Sequence, residues 1–205
     1  DLPLDQRSEG STKPYIPKNY SGVFGALTDP RTGSNHFISI RHGLRNSLNQ
    51  PAVSMASMVG VDAYADMYVK LTGNESLRAS FVGTSSALGA ANIPLIEQVH
   101  AYNTIADSGI YKPIKYILEI QDEQGNVIVN NREVRSTRVL EAKYAHLITN
   151  LNEDYFIFPT SKTVQEIRKT TDFAGKTGTS DTSTAAGDIV FVGYTPDVTV
   201  GMWAG

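Results

Sequence analysis

Apolar residues recur at helical spacing through the middle of the chain, between positions 38 and 106. The spacing predicts helices over residues 51–59, closed by Gly60, over 62–71, closed by Thr72 and Gly73, and over 94–109. One apolar stripe of the last helix is expected to face the core: Leu95, Val99, Tyr102, Ile105 and Ala106. The middle of the chain is therefore predicted to be helical.

Shorter apolar runs, rich in β-branched and aromatic residues, follow in the second half. Residues 114–120 and 127–129 flank a glycine-containing turn and predict a hairpin. A helix is predicted over 138–151 after a Ser136-Thr137 cap, and its inward side chains are expected to be Val139, Leu140, Tyr144, Leu147, Ile148 and Leu151.

The C-terminal pattern predicts a three-stranded meander with Lys176 on its first strand. The other strands cover 188–194 and 198–203, and a polar loop is expected over 181–187. Tyr194 and Trp203 are expected to pack on a face of this sheet, although aromatic residues near a peptide cleft can also line it.

The order of these elements predicts one α+β domain, with an antiparallel sheet on one side of a cleft and a helical lobe on the other. Residues 1–35 are rich in Gly, Pro, Ser and Asn and are expected to form an extended loop. Residues 36–110 form the predicted helical lobe, and residues 111–205 form the hairpin, helix and strands. A chain of 205 residues with 40% hydrophobic content is long enough for one compact unit.

Composition excludes several functions. A net charge of −3 without a basic stripe gives no electrostatic footprint for nucleic acid. The absence of cysteine excludes disulfides and thiol chemistry, and these residues contain neither an apolar run of membrane-spanning length nor a signal peptide. Neither a metal nor another cofactor is expected, because no carboxylate cluster or ligand spacing accompanies the histidines, which are His36, His42, His100 and His146.

Residues 174–180 place a cation, hydroxyl groups and glycine backbone on one short segment. Its Gly-Lys-Thr does not close a phosphate-binding P-loop, because Thr170 stands where that motif requires glycine and a strand pattern follows. On a strand, Lys176 and Gly178 face one side and their threonine neighbours face the other, unless a bulge at glycine changes the alternation. The segment suits a carboxylate ligand, although an isolated Lys-Thr-Gly is more often an ordinary surface strand.

A second polar motif, Ser47-Leu48-Asn49, lies between two predicted helices, with Pro51 at a favoured first-turn position of the second. A helix-helix junction can hold both polar side chains rigidly. A serine hydroxyl can pass a proton between two neighbours, and a side-chain amide can donate to and accept from a peptide bond. The alternative is that Asn49 is a plain cap or turn residue.

Together the two motifs resemble the transpeptidase domain of penicillin-binding proteins, in which a serine-to-asparagine motif precedes Lys-Thr-Gly. The resemblance covers about residues 19–205 and favours the bifunctional class A branch. The middle motif is Ser-Leu-Asn where class A β-lactamases have Ser-Asp-Asn, which fits penicillin-binding proteins better. The blocks that carry the resemblance are residues 44–53, Ala87-Leu88-Gly89, residues 94–113 and Val192-Gly193-Tyr194-Thr195-Pro196.

The resemblance implies a bacterial peptidoglycan D,D-transpeptidase, an acyltransferase of cell-wall synthesis and an antibiotic target. It would act through a serine on D-Ala-D-Ala stem peptides and would bind penicillin and other β-lactams. In this scheme Ser47 would relay a proton and Asn49 would hold the substrate amide.

The Lys-Thr-Gly segment would bind the terminal carboxylate of the substrate. Lys176 would supply positive potential, Thr177 and Thr179 would offer hydroxyl donors, and Gly178 would leave room for close approach. The main-chain N–H of Thr179 would form half of the oxyanion hole.

The family's nucleophile motif, Ser-x-x-Lys, is absent, because no serine in the sequence has a lysine three positions later. The nearest imitation, Ser11-Thr12-Lys13, has its lysine two positions on. We therefore expect the nucleophile outside these residues, and the chain to be the C-terminal portion of one transpeptidase domain, cut at both ends and inactive alone. The expected partners are the remainder of the same protein, with a glycosyltransferase domain as in class A relatives, and a membrane anchor on the extracytoplasmic face.

Two other functions remain open. A chain that kept the cleft without the nucleophile would sense β-lactam or stem peptide as a binding module. A serine hydrolase of the carboxypeptidase or β-lactamase type is disfavoured by the long loop at 181–187 and by the class A-like blocks.

Overall fold

The computed structural model describes residues 39–153, 166, 169–181 and 186–205. The predictions for residues 1–35 and for His36 lie outside the described residues, and so does most of the predicted loop 181–187.

The described helices follow the predicted pattern closely. Glycine ends two of them as predicted: Gly60 has a φ of 88° and Gly73 is left-handed with a φ of 71°. Pro51 is the third residue of its helix and not the first, a position still within the turn whose N–H groups have no helical partner. In these residues the α-helices are α1 Ile40–Arg45, α2 Asn49–Val59, α3 Val61–Thr72, α4 Leu95–Ala106 and α5 Ala142–Glu153, with 3-10 helices at Glu75–Ser80 and Thr84–Leu88.

The described strands form three antiparallel sheets. The predicted hairpin is confirmed, with Gly125 in its turn at a φ of 84°, but its first strand is shorter than predicted, because residues 114–118 are not in a strand. The predicted meander is also confirmed, but its first loop is shorter than expected, because Asp181 pairs with Ala186. The pairs are β1 Ile110–Tyr111 with β4 Thr137–Arg138, and β2 Glu119–Gln121 with β3 Val127–Asn130; the meander is β5 Ala174–Asp181, β6 Ala186–Tyr194 and β7 Thr199–Ala204.

The predicted helix over 138–151 begins too early. The chain is extended at β4, where the Arg138 guanidinium donates to the Ser108 carbonyl at 2.7 Å and the Val139 N–H donates to the Gly109 carbonyl at 2.9 Å. These bonds satisfy carbonyls at the end of α4, so the Ser136-Thr137 cap is wrong. Tyr144 and Leu147 are exposed, contrary to the prediction, whereas Ala145 is buried and Val139, Leu140 and Ile148 pack against the core as predicted.

One apolar cluster joins the helices to the meander, and it consists of Leu71, Ala101, Ile105, Ala145, Ala174 and Tyr194. Ala174 is 1% exposed and lies two residues before Lys176, so the core fixes the beginning of the strand that carries the lysine. Tyr194 is buried as predicted. Trp203 is 58% exposed, so the prediction that its ring packs on the sheet is wrong; its indole N–H donates to Asp188 instead.

Candidate active site

The junction between α1 and α2 holds Ser47 in a left-handed conformation. The Ser47 N–H donates to the Leu44 carbonyl at 3.1 Å, and the Leu48 N–H donates to the Gly43 carbonyl at 2.9 Å. This is the bond pair of a Schellman motif, where glycine is the usual residue. Ser47 has a φ of 52°, which costs an L-residue roughly 1–2 kcal/mol. The fold therefore holds the Ser47 hydroxyl on a strained backbone.

Asn49 is the first residue of α2 and is half-buried. The cap position belongs to Leu48, which has no side-chain bond to the helix. Asn49 is therefore not the N-cap residue of α2; it is the first residue of the helix and lies two residues from Ser47.

A polar contact ties this junction to the rest of the fold. The Arg41 guanidinium of α1 donates to the Asn150 side-chain oxygen at 2.8 Å and to the Asn150 carbonyl at 3.2 Å. Asn150 lies on α5, which packs against β5. The helical junction is thereby held in a defined position relative to the Lys176 strand.

The strand β5 pairs with β6 without interruption from Ala174 to Thr179, with Lys176 opposite Val192. The alternation is therefore not changed at Gly178, and Lys176 and Gly178 lie on the same face as buried Ala174. The register shifts only after Thr179.

The structure brings Lys176 and Ser47 together across 129 positions of sequence. The Lys176 ammonium donates one hydrogen bond to the Ser47 hydroxyl and another, of 2.9 Å, to the Thr177 carbonyl. One residue of the contact belongs to the helical lobe and the other to the sheet. The pair therefore lies where the two walls of the predicted cleft meet.

Burial changes the electrostatics of Lys176. The side chain is half-buried, and desolvation lowers the pKa of Lys176 to about 8. The amine is still largely protonated at neutral pH. A cation with part of its hydration removed attracts an anion more strongly than a fully solvated one.

The residues after Lys176 are exposed along β5: Thr177, Gly178 and Thr179. In an antiparallel ladder the N–H and C=O of one residue point to the same side, and residues two apart repeat that direction. The Thr177 carbonyl faces the Lys176 amine, so the Thr179 N–H points to the same side of the strand.

Gly178 has no steric reason within the described fold to be glycine. A Cβ there would meet only the Val190 side chain, at 4.0 Å. At Gly175, by contrast, a Cβ would lie 2.7 Å from the Val192 carbonyl oxygen. The small residue at 178 thus leaves open space outside the chain, where a ligand can approach the backbone.

Two polar residues beside this segment escaped the sequence prediction. Ser180 and Asp188 are hydrogen-bonded to each other, and Trp203 joins them through Asp188. Their association depends on the register shift after Thr179, and a shift of register leaves no mark in hydropathy. The one available signal was a run of polar residues directly after Lys-Thr-Gly.

The chain belongs to the penicillin-binding protein transpeptidase family: the family model described as "Penicillin binding protein transpeptidase domain" matches residues 9–204. The chain is similar to penicillin-binding protein 1A of Rickettsia conorii, with 30% identity over 97% of this chain and 26% of the relative. Penicillin-binding protein 1A of Aquifex aeolicus is 27% identical over 96% of this chain and 26% of its own length. These relatives agree with the class A resemblance, and the chain spans about a quarter of their length.

Solved structures share the fold. The penicillin-binding protein PonA1 from Mycobacterium tuberculosis superposes with a TM-score of 0.68 at 23% identity, covering 86% of this chain and 50% of that protein's chain. Penicillin-binding protein 1A from Haemophilus influenzae gives a TM-score of 0.67 at 21% identity, covering 92% and 31% respectively. The α+β fold of a penicillin-binding transpeptidase is thereby confirmed. Among the described residues, no helix is both long and apolar enough to span a bilayer.

Proposed function

We propose that this chain supplies two walls of the active site of a peptidoglycan D,D-transpeptidase, which cross-links D-Ala-D-Ala stem peptides and is acylated by penicillin. The observation that carries the proposal is the hydrogen bond from Lys176 to Ser47, which joins the Lys-Thr-Gly strand to the Ser-x-Asn junction. Neither motif alone is specific. The direct hydrogen bond between Lys176 and Ser47 places the two motifs in one site, which supports the proposal more strongly than either motif alone.

The proposed reaction is serine acyl transfer. A serine oxygen attacks the carbonyl carbon of the penultimate D-alanine, the C–N bond to the terminal D-alanine breaks, and the serine proton leaves with the D-alanine amine. The amine of a second stem peptide then displaces the serine from the ester. Ser47 would relay this proton between the lysine partner of the nucleophile and the leaving nitrogen, because general acid-base catalysis needs a group within reach of both.

Asn49 would hold the amide of the stem peptide from the beginning of α2. Its side chain carries both a donor and an acceptor, which matches a peptide bond. Its half-buried position on a helix would keep that pair of groups oriented.

The strand β5, which is the outer strand of the described meander, would bind the acidic end of the substrate. Lys176 would attract the terminal carboxylate, and the Thr177 and Thr179 hydroxyls, which alternation puts on the other face of β5, would donate to it around the edge of the strand. The outward N–H of Thr179 would stabilise the oxyanion, an effect that is worth roughly 3–4 kcal/mol per donor. The open space at Gly178 would let the substrate backbone come close.

The nucleophile would come from outside these 205 residues, since no Ser-x-x-Lys occurs in the sequence. Residues 1–205 would be the C-terminal portion of one transpeptidase domain, with the helical lobe within 36–110 and the sheet within 111–205. The proposal extends to an upstream glycosyltransferase domain and to a membrane anchor that holds the protein at the extracytoplasmic face.

Intact mass before and after incubation with penicillin tests this proposal, on this chain and on a form extended upstream by about a hundred residues. The proposal predicts one penicillin adduct on the extended form alone. If neither form gains mass, the enzyme proposal fails and a non-catalytic binding module takes its place. If the stem peptide is hydrolysed and not joined to a supplied amine acceptor, the result favours a carboxypeptidase over a transpeptidase.

A further inference from the structure

A β-bulge lies directly after the Lys-Thr-Gly segment. Thr179 pairs with Ile189, whereas Asp181 pairs with Ala186. Two residues of β6, Gly187 and Asp188, therefore oppose the single residue Ser180 of β5. A bulge of this kind bends the strand and re-aims the groups beside it. The last regularly paired residue before the bulge is Thr179.

The side chains at the bulge form a clamp, which consists of Ser180, Asp188 and Trp203. The Asp188 N–H donates to the Ser180 hydroxyl oxygen at 2.7 Å, and that hydroxyl donates to Asp188 Oδ2 at 3.1 Å. The Trp203 indole N–H donates to Asp188 Oδ1 at 2.9 Å. One carboxylate thereby ties together all three strands of the meander.

The clamp lies on the face of the sheet that carries the lysine. Alternation along β5 puts Ser180 on the same side as Lys176 and Gly178. All three clamp residues are exposed, so their arrangement is set by hydrogen bonds and not by core packing.

We propose that Asp188 is a positioning residue for the acyl-transfer reaction. By holding the bulge closed, it sets the place of the Thr179 N–H relative to the Lys176 amine. This inference rests on the proposed transpeptidase function. Displacement of a catalytic donor by about 1 Å can cost roughly a hundredfold in rate.

The clamp depends on the charge of a carboxylate. Asp188 accepts from two donors through two different oxygens, and both bonds are strengthened by its charge. An asparagine of the same shape has one carbonyl oxygen and an NH₂ group, so it keeps both contacts only by reversing the bond to the Ser180 hydroxyl, and both bonds then lose the charge that strengthens them.

The test compares Asp188→Asn and Trp203→Phe with wild type in the complete protein. Asp122→Asn is the matched control, because Asp122 is also a carboxylate that accepts main-chain and side-chain bonds, but it is half-buried in the turn between β2 and β3. The rate constant for acylation by penicillin is measured by intact mass. The affinity for a hydrolysed, unreactive penicillin is measured separately.

The expected result is a loss of about tenfold to a hundredfold in the acylation rate of Asp188→Asn, with a smaller loss for Trp203→Phe. Affinity for the unreactive ligand changes less than about twofold, because its carboxylate is bound by Lys176. A general loss of structure would lower both quantities together. The control keeps the wild-type rate.

If Asp188→Asn and Trp203→Phe are acylated at the wild-type rate, the positioning role is overturned and the proposed function stands. Equal losses of rate and affinity also overturn it. If wild-type protein is not acylated at all, the proposed function fails and the positioning role fails with it.

Discussion

The backbone and the side chain of Ser47 have separable effects, and substitution at this residue tests both. Its φ of 52° costs an L-residue roughly 1–2 kcal/mol. Glycine avoids this cost, although it loses more conformational entropy on folding than other residues do. Ser47→Gly and Ser47→Ala both remove the hydroxyl that accepts from Lys176. Their difference in stability therefore isolates the backbone cost.

Ser108 provides a matched control. It follows α4 in the same bonded arrangement, with a φ of 55°, a bond from its N–H to the Ile105 carbonyl at 3.0 Å, and a bond from the Gly109 N–H to the Thr104 carbonyl at 2.8 Å. It lies outside the candidate active site. We expect the free energy of unfolding of each glycine variant to exceed that of its alanine counterpart by about 1 kcal/mol. For a domain of this size, this difference corresponds to roughly 2–4 °C in Tm.

The functional result separates the two positions. Acylation by penicillin should fall about a hundredfold or more in both Ser47 variants, because a proton relay contributes at least this much. Both Ser108 variants should react at the wild-type rate. Thermal unfolding and a time course of intact mass on the complete protein measure the two quantities.

Two outcomes would refute this reasoning. Wild-type acylation by Ser47→Ala would show that the hydroxyl carries no proton. A glycine advantage at Ser108 without one at Ser47 would show that the left-handed junction is not strained in the complete protein.

The remaining predictions concern charge and packing. Because burial lowers the pKa of Lys176 to about 8 from 10.5, the folded protein binds fewer protons than the unfolded chain between these values, so the free energy of unfolding rises with pH across that window. Solvent screening keeps this rise below about 3 kcal/mol. Lys176→Met should abolish it, and urea unfolding at a series of pH values from about 7 to 10 measures the difference. Gly201→Ala should cost about 1–3 kcal/mol, since its Cβ would collide with Val99 of α4, and unchanged Tm would contradict this. Thr104→Val should cost about 1–3 kcal/mol of stability, because the Leu71 carbonyl loses a buried donor at 2.8 Å. Thr104→Ser keeps that hydrogen bond and is the control, and calorimetry measures both variants.

Much of the fold was predictable because local rules and tertiary packing agree. Helical spacing and terminal glycines located α2, α3 and α4, and strand composition located the meander. The beginning of α5 was not predictable, since the pairing of Arg138 with the end of α4 depends on residues thirty positions apart.

The candidate site was only partly predictable. Motif chemistry singled out Ser47 and Lys176, but their contact depends on how α1 and α5 dock through Arg41 and Asn150. The roles of Asn49, Thr177, Gly178 and Thr179 remain predictions. Asp188 was missed because the partners of a bulged strand follow from register, which hydropathy does not encode.

Lys176→Ala in the complete protein tests most simply whether Lys176 belongs to a penicillin-reactive site. Lys143→Ala is the control, because Lys143 is an exposed lysine paired with Glu141 at 2.8 Å. We expect Lys176→Ala to lower the rate constant of penicillin acylation by about tenfold to a hundredfold, the value of one charge-assisted bond, while the control reacts normally. If Lys176→Ala is acylated at the wild-type rate, Lys176 has no part in a penicillin-reactive site.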